Sequence, residues 1–262
     1  MFPIRDHNPS ARTPVVTYAL IAANILVYLA LLPRYGDPRA LSVLLDGYAL
    51  IPARIAAGRD AWTLVSSMFL HAGLLHLAGN MLFLHVFGDN LEDQLGHLGF
   101  LAFYLAVGIG AGIVQVAAAP LSPVPVVGAS GAIAGVMGGY LLMFPRARID
   151  LLLFLVVFIR IFTVRAWLLL VVWFAMQLAG GAATPADAGG VAYWAHSGGF
   201  VLGAALMLPV WIARGGPGFW SRTAGRPAHP EARYRFVRSP VPDVARRPRR
   251  PSDIPIVPRR RR

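Results

Sequence analysis

The chain of 262 residues contains no cysteine and no lysine, and only 14% of its residues are charged. The absence of cysteine excludes disulfides and thiolate chemistry. In a soluble domain of this size, about a quarter of the residues are charged. The shortage of charge, together with 56% hydrophobic residues and a mean hydropathy of +0.59, therefore excludes an ordinary soluble domain. The composition predicts an all-α polytopic membrane protein.

Because lysine is absent, arginine carries all the positive charge, and the formal net charge of +12 is unevenly distributed. Fourteen arginines and only three acidic residues lie within 214–262, a segment rich in proline and poor in large apolar side chains. Such a segment cannot bury enough surface to offset its ordering entropy. We expect 214–262 to be a disordered cytoplasmic tail whose arginine runs bind anionic lipid headgroups. Nucleic-acid binding is not expected, because no aromatic stacking platform is interleaved.

The remaining chain contains apolar segments that are suited to crossing a bilayer. They lie at 14–32, 74–88, 99–119, 128–144, 164–180 and 191–213. The stretch 149–163 is also apolar, but Arg160 and Arg165 would be costly in lipid. We therefore expect an apolar surface loop there. The connection over 33–71 mixes arginine with apolar stretches and predicts a structured loop in the membrane interface. The predicted domains are a cytoplasmic arm (1–13), a membrane domain (14–213) and the tail (214–262).

The distribution of arginine predicts the orientation. With the N-terminus in the cytoplasm, only the four arginines of the first loop lie outside, and nearly all other charge remains inside. The opposite orientation would translocate most of the charge. The positive-inside rule therefore favours a bundle of six transmembrane helices with both termini in the cytoplasm.

Four polar residues lie near the beginnings of even-numbered spans: His76 and Asn80 in the second, Ser130 in the fourth and His196 in the sixth. In the predicted orientation all even spans run from outside to inside, so these residues share one depth. Ser130 begins its helix, where free N–H groups and the helix dipole favour negative charge. His76 and Asn80 are four residues apart and share a helix face.

These residues predict a nucleophile with its general base. His196 lies on a stripe of small residues with Gly199 and Gly203, and the Ser130 helix has a similar stripe. Such stripes permit close helix contact, although helix packing alone also explains them. We predict that Ser130 is a nucleophile and His196 its base, with His76 and Asn80 donating to an oxyanion. Alone, His196 is equally explained as a structural polar contact.

Other kinds of site have weaker support. Glu follows neither His71 nor His76, so the zinc-peptidase pattern is absent, and we expect neither metal nor cofactor. The acidic residues at the inner end of the second span predict a structural or solvated face (Asp89, Glu92 and Asp93). A transporter that uses the polar layer as its pathway fits less well, because paired acidic groups and inverted repeats are not visible.

Residues 50–213 closely resemble the rhomboid family of intramembrane serine proteases. The resemblance rests on Trp62, the segment HAGLLHLAGN at 71–80, GDNLE at 88–92 with Gly96, GASG at 128–131, and Ala195-His196 followed by Gly199 and Gly203. It implies a six-helix core with a Ser130–His196 dyad and an oxyanion hole lined by His76 and Asn80. It also implies a first loop half-embedded in the outer leaflet and a mobile fifth helix that admits substrate laterally.

The function implied by the resemblance is that of a serine endopeptidase in a bacterial plasma membrane, cleaving single-span membrane proteins in or near their transmembrane segments. Two residues depart from the family pattern. Thr63 follows Trp62, where the family often has arginine, and Ala134 stands where an aromatic residue often stacks on the catalytic histidine. Either another residue orients His196, or its ring is held less firmly. The alternative is a catalytically silent protein of the same fold that binds and escorts transmembrane segments.

Overall fold

The computed structural model describes residues 2–8, 10–155, 158–227 and 232. These residues are mostly helical. The helices are α1 (Val15–Tyr35), α2 (Pro38–Tyr48), α3 (Pro52–Ala56), α4 (Thr63–Ser66), α5 (Leu74–Ala118), α6 (Ser130–Met143), α7 (Ala166–Ala183), α8 (Tyr193–Ala213) and α9 (Pro217–Thr223). Four of them, α1, α5, α7 and α8, are long and apolar enough to cross a membrane, and α6 is a shorter apolar helix.

Helix α5 consists of two helical halves joined at Gly96, whose φ of 70° and ψ of 168° are not helical. Residues 74–95 form the first half and residues 97–118 the second. Gly128, just before α6, faces His76 of the first half, and Gly139 of α6 faces Leu91. In the second half, Ala111 faces Gly131 and Phe103 faces Gly139. The first half therefore runs parallel to α6, and the second half runs back in the opposite direction.

Helices α6 and α8 touch backbone to backbone. A Cβ atom at Gly199 would collide with the carbonyl oxygen of Gly131, and one at Gly203 would collide with that of Gly135. Only glycine permits this approach, which is typical of membrane helix pairs. Because residue numbers rise together along the contact, α8 runs parallel to α6. The first half of α5, α6 and α8 thus begin at the same end of the bundle.

The chain is not entirely helical. Strands β1 (Phe2–Asp6), β2 (Arg148–Leu155) and β3 (Phe158–Arg165) form an antiparallel sheet in the order β1-β2-β3. The prediction of a loop over 149–163 is therefore wrong. Its backbone groups pair between β2 and β3, and β2 pairs again with the N-terminal strand.

Asp150 fastens the N-terminal strand to this sheet. Its carboxylate accepts hydrogen bonds from Arg5 Nε at 2.7 Å and Thr163 Oγ1 at 2.6 Å, and lies 2.7 Å from His7 Nε2. Burial acts to raise the pKa of Asp150, but these hydrogen bonds outweigh it and hold the pKa below its ordinary value. The predicted N-terminal arm is thus an ordered part of the fold over residues 2–8.

Glu92 caps α1. Its carboxylate accepts hydrogen bonds from the backbone N–H groups of Val16 and Thr17, at 2.9 and 2.8 Å, and from Thr17 Oγ1 at 2.7 Å. These backbone groups lie in the first turn of α1, where they have no acceptor within the helix. The prediction of a structural role for this acidic cluster is confirmed at Glu92.

A second carboxylate, Asp6, is buried beside Asn90 and Tyr140. It accepts hydrogen bonds from Asn90 Nδ2 at 2.6 Å and Tyr140 Oη at 3.2 Å. Burial, assisted by the nearby charge of Asp89, raises the pKa of Asp6 from 3.8 to about 8. At pH 7 the buried Asp6 carboxyl is therefore mainly in its protonated, neutral form.

The predicted disordered tail over 214–262 is corrected at its beginning. Helix α9 lies there, with Phe219 buried and Trp220 Nε1 donating to the Leu142 carbonyl at 3.0 Å. The aromatic side chains bury enough apolar surface to order this helix. Residues 228–231 and 233–262 lie outside the described residues.

The connection over 33–71 is structured, as predicted, and contains α2, α3, α4 and a 3₁₀ turn at 67–69. Arg54 hydrogen-bonds the carbonyl of Asp46 at 2.7 Å, and its guanidinium contacts the carboxylates of Asp46 and Asp60. Thr63 Oγ1 donates to the Asp60 carbonyl at 2.8 Å. These contacts fasten the loop although Trp62 is not followed by arginine.

Candidate active site

Ser130 begins α6, as predicted. The turn that precedes it packs closely against His76 of α5 and against Ser67. The preceding turn requires glycine, because Gly128 has a φ of 122° and a Cβ there would lie 2.8 Å from the His76 ring. The Gly128 N–H donates to the Ser67 carbonyl at 2.9 Å. The half-buried Ser130 is therefore held at the amino end of a helix, where free N–H groups favour a developing anion.

His196 lies in the first turn of α8 and faces Ser130. Its Nε2 atom lies 2.7 Å from Ser130 Oγ. The glycine contact between α6 and α8 makes this distance possible, since any larger residue at Gly199 would force the two helices apart. The structure thus places the predicted nucleophile within hydrogen-bonding distance of the predicted base.

Two side chains of α7 contact the His196 ring, one at Nδ1 and the other at the ring face. Gln177 Oε1 lies 2.8 Å from His196 Nδ1. The Trp173 ring lies against the imidazole, with centroids 5.9 Å apart and planes 33° apart. Ala134 is buried and carries no ring that could stack on the imidazole. Orientation of His196 therefore comes from a different helix than the family pattern implies.

His76 and Asn80 lie on one face of the first half of α5, beside Gly128. The backbone N–H of Ala72 donates to His76 Nδ1 at 3.3 Å. In a neutral ring this leaves the proton on Nε2, the atom next to Gly128. Asn80 is buried, and its Nδ2 has no partner among the described residues. Two donors therefore lie beside the turn that leads to Ser130.

These groups line one cavity of about 660 Å³. Its walls include Ser130, His196, His76, Asn80, Gln115 and Trp173. A cavity of this size matches those that hold small ligands or short peptide segments. A nucleophile, a base and two hydrogen-bond donors that face one space can perform acyl transfer.

His71, the other histidine of the 71–80 segment, is buried with its ring 5.1 Å from that of His76. Within the part of the chain that the structure describes, no group of three or more His, Asp or Glu side chains could hold a metal ion.

The contacts of Gln177 and Trp173 with His196 were not predicted from the sequence. A signal was present, because Gln177 is the one amide in a helix that is otherwise apolar. Polar residues within membrane spans tend to be functional. The face of α7 that packs on the bundle could not be identified from its nearly uniform apolar sequence, so the partner of Gln177 could not be named.

Comparison with known proteins identifies a match to the family model described as Rhomboid domain over residues 58–213. Among curated proteins, the chain is 38% identical over 128 residues to the rhomboid protease GluP of Bacillus subtilis. That match covers 49% of this chain and 24% of GluP. The putative rhomboid protease YdcA of the same organism is 38% identical over 130 residues, covering 50% of this chain and 62% of YdcA.

RHOMBOID-like protein 6 of Arabidopsis thaliana, described as mitochondrial, is 40% identical over 88 residues, covering 34% of this chain and 28% of the relative. In each of these matches the chain covers less than two thirds of the relative's own length.

Proposed function

This chain belongs to the rhomboid family, and from that premise we propose that it is an intramembrane serine endopeptidase. The reaction is hydrolysis of peptide bonds in or near the transmembrane segments of membrane proteins. The observation that carries the proposal is the 2.7 Å approach of Ser130 Oγ to His196 Nε2 at the wall of a cavity inside a bundle of apolar helices.

The chemistry follows from the positions of these groups. His196 Nε2 takes the Ser130 hydroxyl proton as Oγ attacks the carbonyl carbon of the scissile bond. The resulting tetrahedral intermediate collapses when His196 returns that proton to the leaving amine, which leaves an acyl-enzyme. Water, deprotonated by His196, then attacks the ester carbonyl carbon. His196 returns this proton to Ser130 Oγ as the ester bond breaks, which releases Ser130 and the new carboxyl terminus.

The oxyanion formed in both steps needs hydrogen-bond donors. His76 Nε2–H and Asn80 Nδ2–H lie next to Gly128, two residues before Ser130, and together with the backbone N–H of Ser130 they can supply these donors. Donors fixed before the reaction act where water is excluded, so each stabilises the transition state more than it would in water.

The proposed topology is six spans with both termini in the cytoplasm. The four long helices supply five spans once α5 is divided at Gly96, and α6 supplies the sixth. With 14 residues at 1.5 Å per residue, α6 is about 21 Å long, shorter than a hydrocarbon core of about 30 Å. Ser130 would then lie below the outer surface and receive water through the cavity. The plasma membrane of a bacterium is the proposed location.

Substrates are proposed to be single-span membrane proteins. Because a helical backbone is hydrogen-bonded internally, a substrate span must unwind locally before Ser130 can reach its carbonyl carbon. The basic segment from 214 onward is proposed to bind anionic lipid at the inner leaflet. No cofactor, metal or nucleic acid takes part in this proposal.

The test is cleavage of a model single-span substrate by purified protein in detergent. Ser130→Ala should abolish cleavage without changing the thermal unfolding temperature. Ser197→Ala is the matched control, since Ser197 is a buried serine next to His196 whose hydroxyl has no partner among the described residues. Substantial cleavage by folded Ser130→Ala would overturn the assignment and favour a catalytically silent protein that binds spans.

A further inference from the structure

We infer that Gln177 is a positioning residue that fixes the tautomer of His196 in which the ring can act as a base. The inference deepens the proposed function and rests on it for its catalytic consequence. The position of the proton on the His196 ring is inferred only from the contacts of Gln177 and His196.

The orientation of the Gln177 amide follows from its second contact. Gln177 Nε2 lies 3.5 Å from the carbonyl oxygen of Trp173, one turn earlier on α7. An amide N–H can donate to that oxygen, whereas the reversed amide would place two acceptor oxygens against each other. The oxygen of Gln177 is therefore the atom that faces His196, at 2.8 Å from Nδ1.

An amide oxygen only accepts hydrogen bonds, so His196 Nδ1 must carry a proton. In the neutral ring Nε2 is then bare, and it accepts the hydroxyl proton of Ser130 across 2.7 Å. The Ser130 hydroxyl can donate or accept a hydrogen bond, so the contact with Gln177 is the one that selects this tautomer. If the proton were on Nε2, the ring would face Ser130 with a donor and would leave the oxygen of Gln177 without a proton to accept.

Burial strengthens this selection. Gln177 is buried, is the one amide of α7 and lies on the face that packs against α8. Water therefore does not replace its oxygen easily, and an unpaired Nδ1–H in this environment would be costly. Trp173 restrains the ring plane, but an indole face does not distinguish one ring nitrogen from the other. Gln177 alone among these contacts selects the proton position.

The direct experiment is ¹⁵N NMR of histidine-labelled protein in detergent, because protonated and bare ring nitrogens give separate signals. Comparison with His196→Ala assigns the His196 resonances. In the wild-type protein Nδ1 should be protonated and Nε2 bare. In Gln177→Met, which keeps the side-chain length and removes the acceptor, the proton should redistribute toward Nε2. Gln177→Glu keeps an acceptor oxygen and should preserve the wild-type pattern.

Gln115→Met is the matched control for the spectrum. Gln115 is, like Gln177, a buried glutamine, but it hydrogen-bonds the backbone of Ala195 and Ala186 instead of the His196 ring. The same chemical change there should leave the tautomer of His196 as it is in the wild type. Thermal unfolding of each variant establishes that the spectra come from folded protein.

Kinetics supply the second readout. Loss of one buried hydrogen bond to the base should lower kcat by about 10- to 100-fold in Gln177→Met. KM should not change, and Gln177→Glu should recover most of the loss. A wild-type spectrum with Nε2 protonated, or a folded Gln177→Met with wild-type tautomer and kcat, overturns the inference. Failure of the proposed function is a separate result, namely no cleavage by the wild type, and it leaves the NMR result valid.

Discussion

The glycine contact between α6 and α8 gives the sharpest prediction of how packing controls chemistry. Gly203 lies two turns beyond His196, and a Cβ at this position would lie 2.5 Å from Gly135 C and closer still to its oxygen. Side-chain Cβ atoms essentially never approach other heavy atoms within 3.0 Å. The nearest atoms here belong to the Gly135 backbone, which cannot move aside as a flexible side chain could. Gly203→Ala must therefore separate the helices by about 1 Å to clear the Gly135 oxygen.

Such a separation acts on the 2.7 Å distance between Ser130 Oγ and His196 Nε2, because each atom belongs to the first turn of one of the two helices. A misplacement of about 1 Å can cost about 100-fold in rate, so we expect turnover by Gly203→Ala to fall by about that factor. Overpacking should also lower the free energy of unfolding by about 1–3 kcal/mol.

The assay is steady-state cleavage of a single-span substrate, with thermal unfolding measured on the same preparation. Gly47→Ala is the matched control, because a Cβ at Gly47 in α2 meets no atom within 4 Å. There the change should leave turnover unaltered and raise stability by up to about 1 kcal/mol. Wild-type turnover in folded Gly203→Ala would refute the reasoning that backbone contact sets the distance between nucleophile and base.

Three further predictions concern other parts of the molecule. Asn80→Ala should lower kcat by about 10²–10³-fold with little change in KM, and adding His76→Ala should lower kcat further. The reason is that the hydrogen bonds of both side chains strengthen as the oxyanion forms. An unchanged kcat in the folded double variant would show that these side chains do not stabilise the oxyanion. The raised pKa of Asp6 means that its contribution to stability is present at low pH and is lost as pH rises from about 4 through about 8. Asp6→Asn should abolish that part of the pH dependence of thermal unfolding, and an identical dependence in both proteins would contradict the pKa. A reporter inserted near Gly189 should be external and one fused after Arg262 cytoplasmic, whereas both on the same side would exclude six spans.

Much of the candidate site could be predicted from the sequence because membrane spans restrict polar residues so strongly. Four polar side chains at the beginnings of even-numbered spans share one depth in any bundle of alternating helices, and the structure places His76, Asn80, Ser130 and His196 around one cavity. Small-residue stripes also predicted which helices approach closely, and α6 and α8 do so. The resemblance to the rhomboid family is confirmed by the family-model match.

The contacts of α7 could not be predicted in the same way. The rotation of that helix about its axis depends on packing of Trp173 and Phe174 against α8, and a nearly uniform apolar sequence carries no periodicity that reveals it. For this reason the amide of Gln177 was recognisable in the sequence, but its contact with His196 could not be predicted.

The small sheet was missed because its pairing is distant in sequence. Strand β1 pairs with residues almost 150 positions later, and local patterns hold no information about such a partner. The apolar segment over 149–163, with an arginine within it and another just after it, therefore suggested a surface loop. In the structure β2 lies in the middle of the sheet and pairs with β1 on one side and β3 on the other. Helix α9 was not predicted because the high arginine and proline content of the whole segment outweighed the two aromatic residues Phe219 and Trp220 near its beginning.

The most direct test of the central claim, that Ser130 is a nucleophile activated by His196, is covalent labelling by a serine-directed fluorophosphonate. Intact-mass measurement and peptide mapping of the folded wild-type protein should show one adduct per chain, located on Ser130. Labelling should be absent in Ser130→Ala and at least about 100-fold slower in His196→Ala, because without its base the hydroxyl is a weak nucleophile. Folded wild-type protein without an adduct on Ser130, or equal labelling rates in the presence and absence of His196, would contradict the claim.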